Sequence, residues 1–367
     1  MIEDNRIGAV ARQFAIPGEI VRATPYGNGH INDTLRVEYV AAAVSGRCIL
    51  QRINHHVFKQ PAALMQNIER VTAHLAGRVA ELPDAKRRVL RLIPTHAGAC
   101  STVDDEGYHW RAYHFIENAR SYEAVESAGQ AYKAARAFGE FQCHLAELPA
   151  PRLHDTIPDF HNTLKRYAYF EEVLAADAHN RAATARAEID WAMRHKDLAG
   201  VLLNANLPER VTHNDTKFNN VLLDEATGEG ICVIDLDTVM PGLALYDFGD
   251  MVRTATSPAA EDELDLRRVR MQFPMFEALV RGYIDAAGGF LTADEKCLLT
   301  ASGKLITFET GLRFLTDYLN GDTYFKIHRP GHNLDRCRTQ FRLVESIEEQ
   351  EEAMNRLVES VEQIQST

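Results

Sequence analysis

The sequence predicts an α+β fold with two lobes, in which a small β-rich N-terminal lobe precedes a larger, mainly helical C-terminal lobe. Its 367 residues exceed what one hydrophobic core usually supports. Short strand patterns dominate as far as residue 117, and helical periodicity dominates afterwards, with one β-rich interruption at 211–239. We therefore expect the two lobes at 1–117 and 118–367.

The N-terminal lobe is predicted to contain five strands and one helix. A Gly-Asn-Gly turn at 27–29 separates two extended segments, which is typical of a β-hairpin. The helix is indicated by apolar residues at helical spacing, among them Leu64, Ile68 and Val71. The predicted strands are 19–26, 31–40, 47–53, 88–93 and 109–116, and the predicted helix is 61–75.

The C-terminal lobe is predicted to be helical except at 211–239. Within that stretch, strand 221–223, a glycine-containing turn and strand 231–234 form a predicted hairpin. A β-rich lobe followed by a helical lobe with one β-rich segment resembles the bilobal protein-kinase-like architecture. The predicted helices are 124–148, 162–174, 181–203, 245–281, 293–319 and 338–363.

The charge balance argues against several classes of function. The chain carries 40 basic and 52 acidic side chains, a net charge of −12, which disfavours nucleic-acid and anionic-membrane partners. An anionic ligand would need a local cation or a metal to overcome this field. No stretch has the length and apolarity of a membrane span or a secretory signal. The six scattered cysteines predict reduced thiols, so we expect a cytoplasmic protein.

The stretch at 211–239 has the residues that phosphoryl transfer requires. A kinase catalytic loop uses an aspartate to orient the attacking hydroxyl, then a lysine and an asparagine at fixed spacing. Asp215, Lys217 and Asn220 match that spacing, and Asp235 ends the hairpin that follows. We predict that Asp215 and Lys217 are catalytic and that Asn220 and Asp235 converge on Mg²⁺. A solvated turn would explain one aspartate but not the whole pattern.

A second acidic motif follows the first. Asp247, Phe248 and Gly249 spell the metal-binding D-F-G of protein kinases, but they lie too far along the chain and enter a helical pattern. Asp235, at a strand end, has the better context for a metal. We predict that Asp247 and Asp250 cap the helix or brace the catalytic loop.

Several strings resemble a known family. HNDTKFNN, VIDLDTVMPG and YDFGD resemble the aminoglycoside phosphotransferase and choline kinase group of small-molecule kinases. Within that group the N-acetylhexosamine 1-kinases are more similar, on PYGNGHIN, WRAYHFIE, GLRFLTDYLNGDTYF and HNLDRCRTQ. The resemblance implies transfer of the ATP γ-phosphate to the anomeric hydroxyl of GlcNAc or GalNAc, with ATP and Mg²⁺ as cofactors and the sugar as the small-molecule partner.

The resemblance also implies roles for individual residues. Asp215 would deprotonate the anomeric hydroxyl, and Lys217 would lie near the γ-phosphate. Arginine and tyrosine can both hydrogen-bond sugar hydroxyls and an acetamido carbonyl. For Arg313 the alternative is an ion pair within its own helix, with Glu309 or Asp317. The implied sugar contacts are His30, Asp215, Arg313 and Tyr324, and the implied adenine hinge is Phe115, Ile116 and Glu117.

The predicted nucleotide site departs from the protein-kinase pattern in two ways. The Gly27-Asn28-Gly29 turn, predicted to cover the phosphates, lacks a third glycine. Gln51 occupies the position of the strand lysine, and Arg52 beside it points to the opposite face unless the strand bulges. We include both residues in the predicted nucleotide site. Glu69, on the predicted helix, has no such lysine to pair with.

Three other readings are open. The substrate of such a kinase could be another sugar, an aminoglycoside, a choline-like molecule or an amino alcohol. The strand ending in D-x-D also resembles haloacid-dehalogenase-type phosphatases, with Asp235 as nucleophile and Asp237 as acid or base, but that fold needs alternating strands and helices after Val239. The missing lysine suggests a catalytically inactive pseudokinase, whereas the intact predicted base and metal ligands argue against one. The oligomeric state is open as well.

Overall fold

The computed structural model describes residues 5–27, 31–42 and 44–365. Its N-terminal part is an antiparallel sheet with the strand order β1-β2-β3-β6-β4, and β5 pairs with β6. Buried side chains of β2, β3 and β6, including Val37, Leu50 and Ala112, pack against Val10 and Phe14. The strands are β1 (Glu19–Pro25), β2 (Asp33–Ala41), β3 (Val44–Ile53), β4 (Leu92–Ile93), β5 (Thr102–Val103) and β6 (His109–His114).

Two helices accompany this sheet. α1 (Asn5–Ala11) has no counterpart in the sequence prediction, whereas α2 (Pro61–Arg78) has the predicted start. Proline fits the first turn of α2 because an N–H there would have no helical partner. The predicted strand 88–93 is wrong except for its last two residues, because a 3₁₀ turn (Ala85–Arg87) occupies the segment just before it.

The rest of the described chain is mainly helical. α3 and α7 pack closely because Gly282 of α7 has no side chain. A Cβ at that position would lie 2.2 Å from the Tyr132 carbonyl oxygen of α3. The helices are α3 (Ala128–Leu145), α4 (Thr163–Ala176), α5 (Arg186–Arg194), α6 (Ala244–Ala255), α7 (Phe273–Ala287), α8 (Ala293–Cys297), α9 (Leu299–Leu319), α10 (His332–Glu348) and α11 (Glu351–Gln365).

Four predicted helical segments are wrong in extent, and one of them, 293–319, divides into α8 and α9. The segment 181–203 contains only α5, flanked by 3₁₀ turns, and 245–281 divides into α6 and α7 around a proline-containing loop. The C-terminal segment forms two helices, α10 and α11, rather than one. The apolar residues of successive helices continue at roughly helical spacing across the breaks, so the sequence pattern predicted single long helices. None of the described helices has the length and apolarity needed to cross a bilayer.

Five short strands are inserted among these helices. They are β7 (Ala119–Arg120), β8 (Arg210–Thr212), β9 (Val221–Asp224), β10 (Gly230–Val233) and β11 (Met240–Gly242). β9 and β10 form the predicted hairpin, and β11 pairs with β8. These pairings bring the loop 213–220 and the turn 234–239 together. All strand pairs in the described part of the chain are antiparallel, and helices follow β11, so the phosphatase alternative does not fit.

The helix α2 packs against the C-terminal part as well as the sheet. Its buried face, including Leu64, Ile68 and Leu75, belongs to the same apolar core as Phe138 of α3. The Asn67 amide, fully buried, donates to the carbonyl oxygens of His154 (2.8 Å) and Val239 (3.2 Å). The helix therefore anchors the sheet directly beside the turn 234–239.

Candidate active site

The loop 213–220 is held by a buried carboxylate on α6. Asp247 is fully buried and accepts hydrogen bonds from the backbone N–H groups of His213 (2.9 Å) and Asn214 (2.7 Å). Asn214 has a left-handed backbone, with φ of 65°, and an asparagine tolerates this conformation better than most residues. The His213 ring is bonded to the Ile234 carbonyl oxygen at 2.9 Å. The D-F-G aspartate thus braces the loop, as the sequence predicts.

Asp215, Lys217 and Asn220 meet at this loop. The Lys217 Nζ lies 2.8 Å from Asp215 Oδ1. The Asn220 amide donates to the Asp215 carbonyl oxygen at 2.8 Å and to its carboxylate at 3.2 Å. Burial opposes ionisation of Asp215, but the charge and hydrogen bond of Lys217 outweigh it and lower the pKa of this carboxyl. The result is an ionised carboxylate with a quarter of its side chain exposed.

Asp235 lies beside this group, at the end of β10. Its backbone is left-handed, with φ of 58°, and the preceding Ile234 N–H donates to the Asn220 carbonyl oxygen at 2.9 Å. Burial and the neighbouring charges of Asp237 and Asp215 raise the pKa of Asp235 to about 6, although Arg111 opposes the increase. The site therefore carries excess buried negative charge, which a cation would relieve.

The donors at this site fit magnesium. Asn220 and Asp235 offer amide and carboxylate oxygens, the ligand type that Mg²⁺ prefers. No group of three His, Cys, Asp or Glu side chains is arranged to hold a metal alone within residues 5–27, 31–42 and 44–365. Magnesium is usually bound through one or two carboxylates together with substrate phosphates, so two protein ligands suffice.

The two residues at the expected lysine position behave differently from each other. The Gln51 amide nitrogen donates to Thr34 Oγ1 at 2.9 Å, and its oxygen accepts from Arg111 Nε at 3.0 Å. Arg52 instead pairs with Asp33 and lies 4.6 Å from the centre of the Tyr108 ring. The β2–β3 register is continuous, without the bulge that would turn Arg52 inward. The Gln51 side chain thus faces Arg111, whereas the Arg52 side chain faces Asp33 and Tyr108.

Arg111, which was not among the predicted site residues, is the largest fully buried side chain of the described chain. Its Nη1 lies 2.5 Å from Asp237 Oδ1, and the two side chains are 1% and 3% exposed. Asp237 also accepts a hydrogen bond from the Asn32 amide. The available signal was an arginine within the string WRAY, between an aromatic and an apolar residue of a predicted strand.

The predicted adenine hinge joins the sheet to β7. Phe115 lies edge-on to Tyr26 at 5.7 Å between ring centres, and Ile116 is buried against β10. Glu117 accepts two hydrogen bonds from Arg47, one of them 3.1 Å from Nε. Gly27 has a φ of 75° and open space where a side chain would be. Asn28, Gly29 and His30 lie outside the described residues.

Arg313 of α9 lies close to Tyr324, which is in the loop that follows α9. The Arg313 guanidinium carbon lies 5.5 Å from the ring centres of Phe160 and Phe325 and 5.9 Å from that of Tyr324. Tyr324 is 61% exposed. In the part of the chain that the structure describes, Arg313 forms no salt bridge, so the ion pair with Glu309 or Asp317 is absent.

Asp317 binds the backbone of the loop after α9 instead of pairing with Arg313. Its buried carboxylate accepts hydrogen bonds from the backbone N–H groups of Thr323, Tyr324 and Phe325, at 2.8–2.9 Å. The Asn333 amide of α10 donates to the same carboxylate at 2.9 Å. These bonds shape the loop after α9 and place Tyr324 and Phe325 beside Arg313.

A buried histidine, also missed from the sequence, connects this side to the catalytic loop. His161 Nδ1 lies 2.8 Å from Glu309 Oε1, and its Nε2 lies 3.0 Å from the Asn214 carbonyl oxygen. Both partners present oxygen atoms that can accept a hydrogen bond from a ring nitrogen. Burial alone would raise the pKa of Glu309, but the charge and hydrogen bond of His161 hold it at about 2. No sequence motif surrounds His161.

A second arginine shares this region. Arg166 Nε lies 3.6 Å from Glu309 Oε1, and the same nitrogen donates to the Phe160 carbonyl oxygen at 2.9 Å. Burial and the nearby charge of Arg313 lower the pKa of Arg166 to about 10. Arg166 and the His161 ring thus both lie against the buried Glu309 carboxylate, and Arg313 adds a further positive charge nearby.

Comparisons with solved structures place the fold among kinases of small molecules. A microcompartment-associated aminopropanol kinase is 17% identical, with a TM-score of 0.58 over 95% of this chain and 98% of that one. A choline kinase from Cryptosporidium parvum is 14% identical, with a TM-score of 0.56 over 95% and 96%. A spectinomycin phosphotransferase, solved with ADP and spectinomycin, is 13% identical, with a TM-score of 0.52 over 89% and 92%. The predicted α+β, protein-kinase-like fold is confirmed.

The sequence itself carries the family signature. Residues 22–282 match APH, the phosphotransferase enzyme family, over most of the chain. The match includes the loop that holds Asp215, Lys217 and Asn220 as well as the turn that begins at Asp235. The chain belongs to the phosphotransferase enzyme family.

Proposed function

We propose that the protein is an ATP-dependent kinase that transfers the γ-phosphoryl group to the anomeric hydroxyl of an N-acetylhexosamine, GlcNAc or GalNAc. Family membership supports the phosphotransfer. The observation that carries the substrate class is the positive, aromatic region around Arg313, which adjoins the catalytic loop through His161. We also propose that the enzyme works in the cytoplasm, with its six cysteines as free thiols.

The charge of that region separates the candidate substrates. Aminopropanol and choline, named for two of the similar structures, carry a cationic nitrogen that calls for carboxylates or an open aromatic box. Here Glu309 already binds His161 and Thr163, and Asp317 is saturated by backbone N–H groups. Arg166 and Arg313 repel a further cation. A neutral sugar with an acetamido carbonyl suits arginine and tyrosine donors better.

The catalytic roles follow from the loop geometry. The Asp215 carboxylate accepts the proton of the anomeric hydroxyl while that oxygen attacks the γ-phosphorus and ADP leaves. Lys217, paired with Asp215, offers a cation to the transferring phosphoryl group. Asn220 and Asp235 would hold magnesium, which when bound neutralises phosphate charge. We propose that Gly27, Phe115, Ile116 and Glu117 contact the nucleotide and that Gln51 acts through Arg111.

A substrate panel tests this proposal. We would follow ADP release from ATP and Mg²⁺ with GlcNAc, GalNAc, glucose, choline, ethanolamine, aminopropanol and spectinomycin, and locate the phosphate in the product by ³¹P NMR. We expect turnover with an N-acetylhexosamine and a product phosphorylated at the anomeric oxygen. Turnover of an amino alcohol alone would instead establish the choline-like alternative. Nucleotide binding without turnover of any acceptor would favour the pseudokinase.

A further inference from the structure

We propose that Arg111 and Asp237 form the charged pair that positions the metal-binding turn of this enzyme. In protein kinases a lysine on the third strand and a glutamate on the adjacent helix form an ion pair that must be in place for activity. Here the cation comes from β6 and the carboxylate from the metal turn itself. The inference rests on the proposed kinase function and assigns Arg111 as a positioning residue.

The place of the cation is set by strand pairing. Gln51, at the lysine position of β3, is the cross-strand partner of Arg111 in β6. The Gln51 oxygen accepts from Arg111 Nε at 3.0 Å, so the amide orients the guanidinium that replaces the lysine. Glu69 of α2 is exposed and forms no salt bridge within the described ranges, so the helix partner of the usual pair is not used.

The place of the carboxylate connects the pair to the metal turn. Asp237 lies in the 3₁₀ turn (Leu236–Thr238) that begins directly after Asp235, and its Oδ1 is 2.5 Å from Arg111 Nη1. Asp235 has a left-handed backbone, which an aspartate adopts at a cost, so the turn needs support on both sides. Asp247 supports the neighbouring loop at 213–214, and Arg111 supports this turn through Asp237.

The pair also reaches the segment that follows the glycine turn. The Asn32 amide donates to Asp237 Oδ2, and Asn32 Oδ1 accepts from the Asn54 backbone N–H at 3.0 Å. Asp237 is therefore shared between the N-terminal sheet and the turn that carries Asp235. A pair at 1% and 3% exposure has a large desolvation cost and is weak evidence for stability alone. Its position between β6 and the Asp235 turn points to positioning instead.

The test measures binding of ADP at increasing Mg²⁺ by calorimetry, together with melting temperature. The variants are Arg111→Gln, Arg111→Gln with Asp237→Asn, and Arg111→Gln with Gln51→Lys. The two without a cation should need about tenfold more Mg²⁺ for half-maximal tightening of ADP binding, as for other residues that orient metal ligands. The third returns a cation to the same site from β3 and should recover most of the loss.

Each control separates one outcome. Arg6→Gln removes an Arg–Asp pair of the same lobe, with Asp104, and should leave the Mg²⁺ dependence unchanged. If the double neutral variant folds and binds Mg²⁺ and ADP like the native protein, the pair is only structural and the inference is wrong. If the Arg111 variants do not fold, unchanged Mg²⁺ dependence in Asn32→Ala would overturn it. Failure of the native protein to bind ADP with Mg²⁺ would refute the proposed function itself.

Discussion

At the scale of single residues, the proposed catalytic role of Asp215 has the most direct test. Asp215 is ionised, paired with Lys217 and only partly exposed. Asp215→Asn keeps the shape but cannot accept the proton, so we expect kcat to fall at least about a hundredfold, the usual contribution of general base catalysis. ADP and Mg²⁺ should bind within about threefold of the native value, because the change leaves Asn220 and Asp235 in place.

The control for this variant is an aspartate on the outer side of the helical lobe. Asp190 of α5 pairs with Arg186 in a largely exposed i,i+4 pair. Asp190→Asn should leave kcat unchanged. Activity of Asp215→Asn within about tenfold of native, or about 1.4 kcal/mol of barrier, would show that Asp215 is not the base.

We propose that Arg313 governs affinity for the proposed sugar substrate. Its guanidinium has three aromatic neighbours and no salt bridge among the described residues. We expect Arg313→Ala to raise the KM of the N-acetylhexosamine about tenfold or more while the KM of ATP changes little, measured by initial rates. Arg313→Lys should recover part of the affinity. A larger effect on ATP than on the sugar would place Arg313 in the nucleotide site.

At the scale of elements, the link between α9, α4 and the catalytic loop can be tested by pH. The pKa of Glu309 falls from its ordinary 4.5 to about 2 because of the charge and hydrogen bond of His161. A lowered folded-state pKa means that the ionised form stabilises the fold above about pH 4.5, and the contribution is lost as the pH falls towards 2.

The measurement is the difference in unfolding free energy between the native protein and Glu309→Gln in urea. We expect the native protein to be more stable at pH 6, by on the order of 3 kcal/mol. The difference should shrink between about pH 4.5 and pH 2 as Glu309 takes up a proton. Glu171→Gln, in an exposed pair with Lys196, should show almost no difference at either pH. A difference independent of pH would exclude ionisation of Glu309 as the cause.

Contacts within one loop or hairpin could be predicted from the sequence, whereas contacts between distant elements could not. One loop contains Asp215, Lys217 and Asn220, so their spacing in the sequence was enough to predict that they lie close together. The β9–β10 hairpin then brings Asp235 back beside them. Arg111 and Asp237 meet only through β6 and the turn after β10, which no local pattern records. The predicted helix lengths were wrong where helices with separate apolar faces followed one another, such as α6 and α7, although Pro258 between them was a stop signal in the sequence.

At the scale of the whole molecule, the net charge of −12 is distributed unevenly around the candidate active site. Asp215, Asp235 and Asp237 make one side negative, whereas Arg166 and Arg313 make the other side positive. A magnesium–nucleotide complex suits the first and a neutral acceptor the second. We retain the lobe boundary near residue 117 as a proposal, and β7, directly after it, already pairs with β9 of the C-terminal part.

The segment around residues 117–118, which joins the N-terminal sheet to the helical part, is held in place by hydrogen bonds. Arg87 Nε donates to the Glu117 carbonyl oxygen (3.0 Å), and its Nη2 donates to the Asn118 carbonyl oxygen (2.8 Å) and to Asp224 (2.7 Å). This segment restricts rotation of the sheet relative to the helical part, because rotation there would break these hydrogen bonds and the β7–β9 pairing together. The sheet also contacts the turn 234–239 through Asn32 and Asp237, where the contact is a single side-chain hydrogen bond and resists such motion far less.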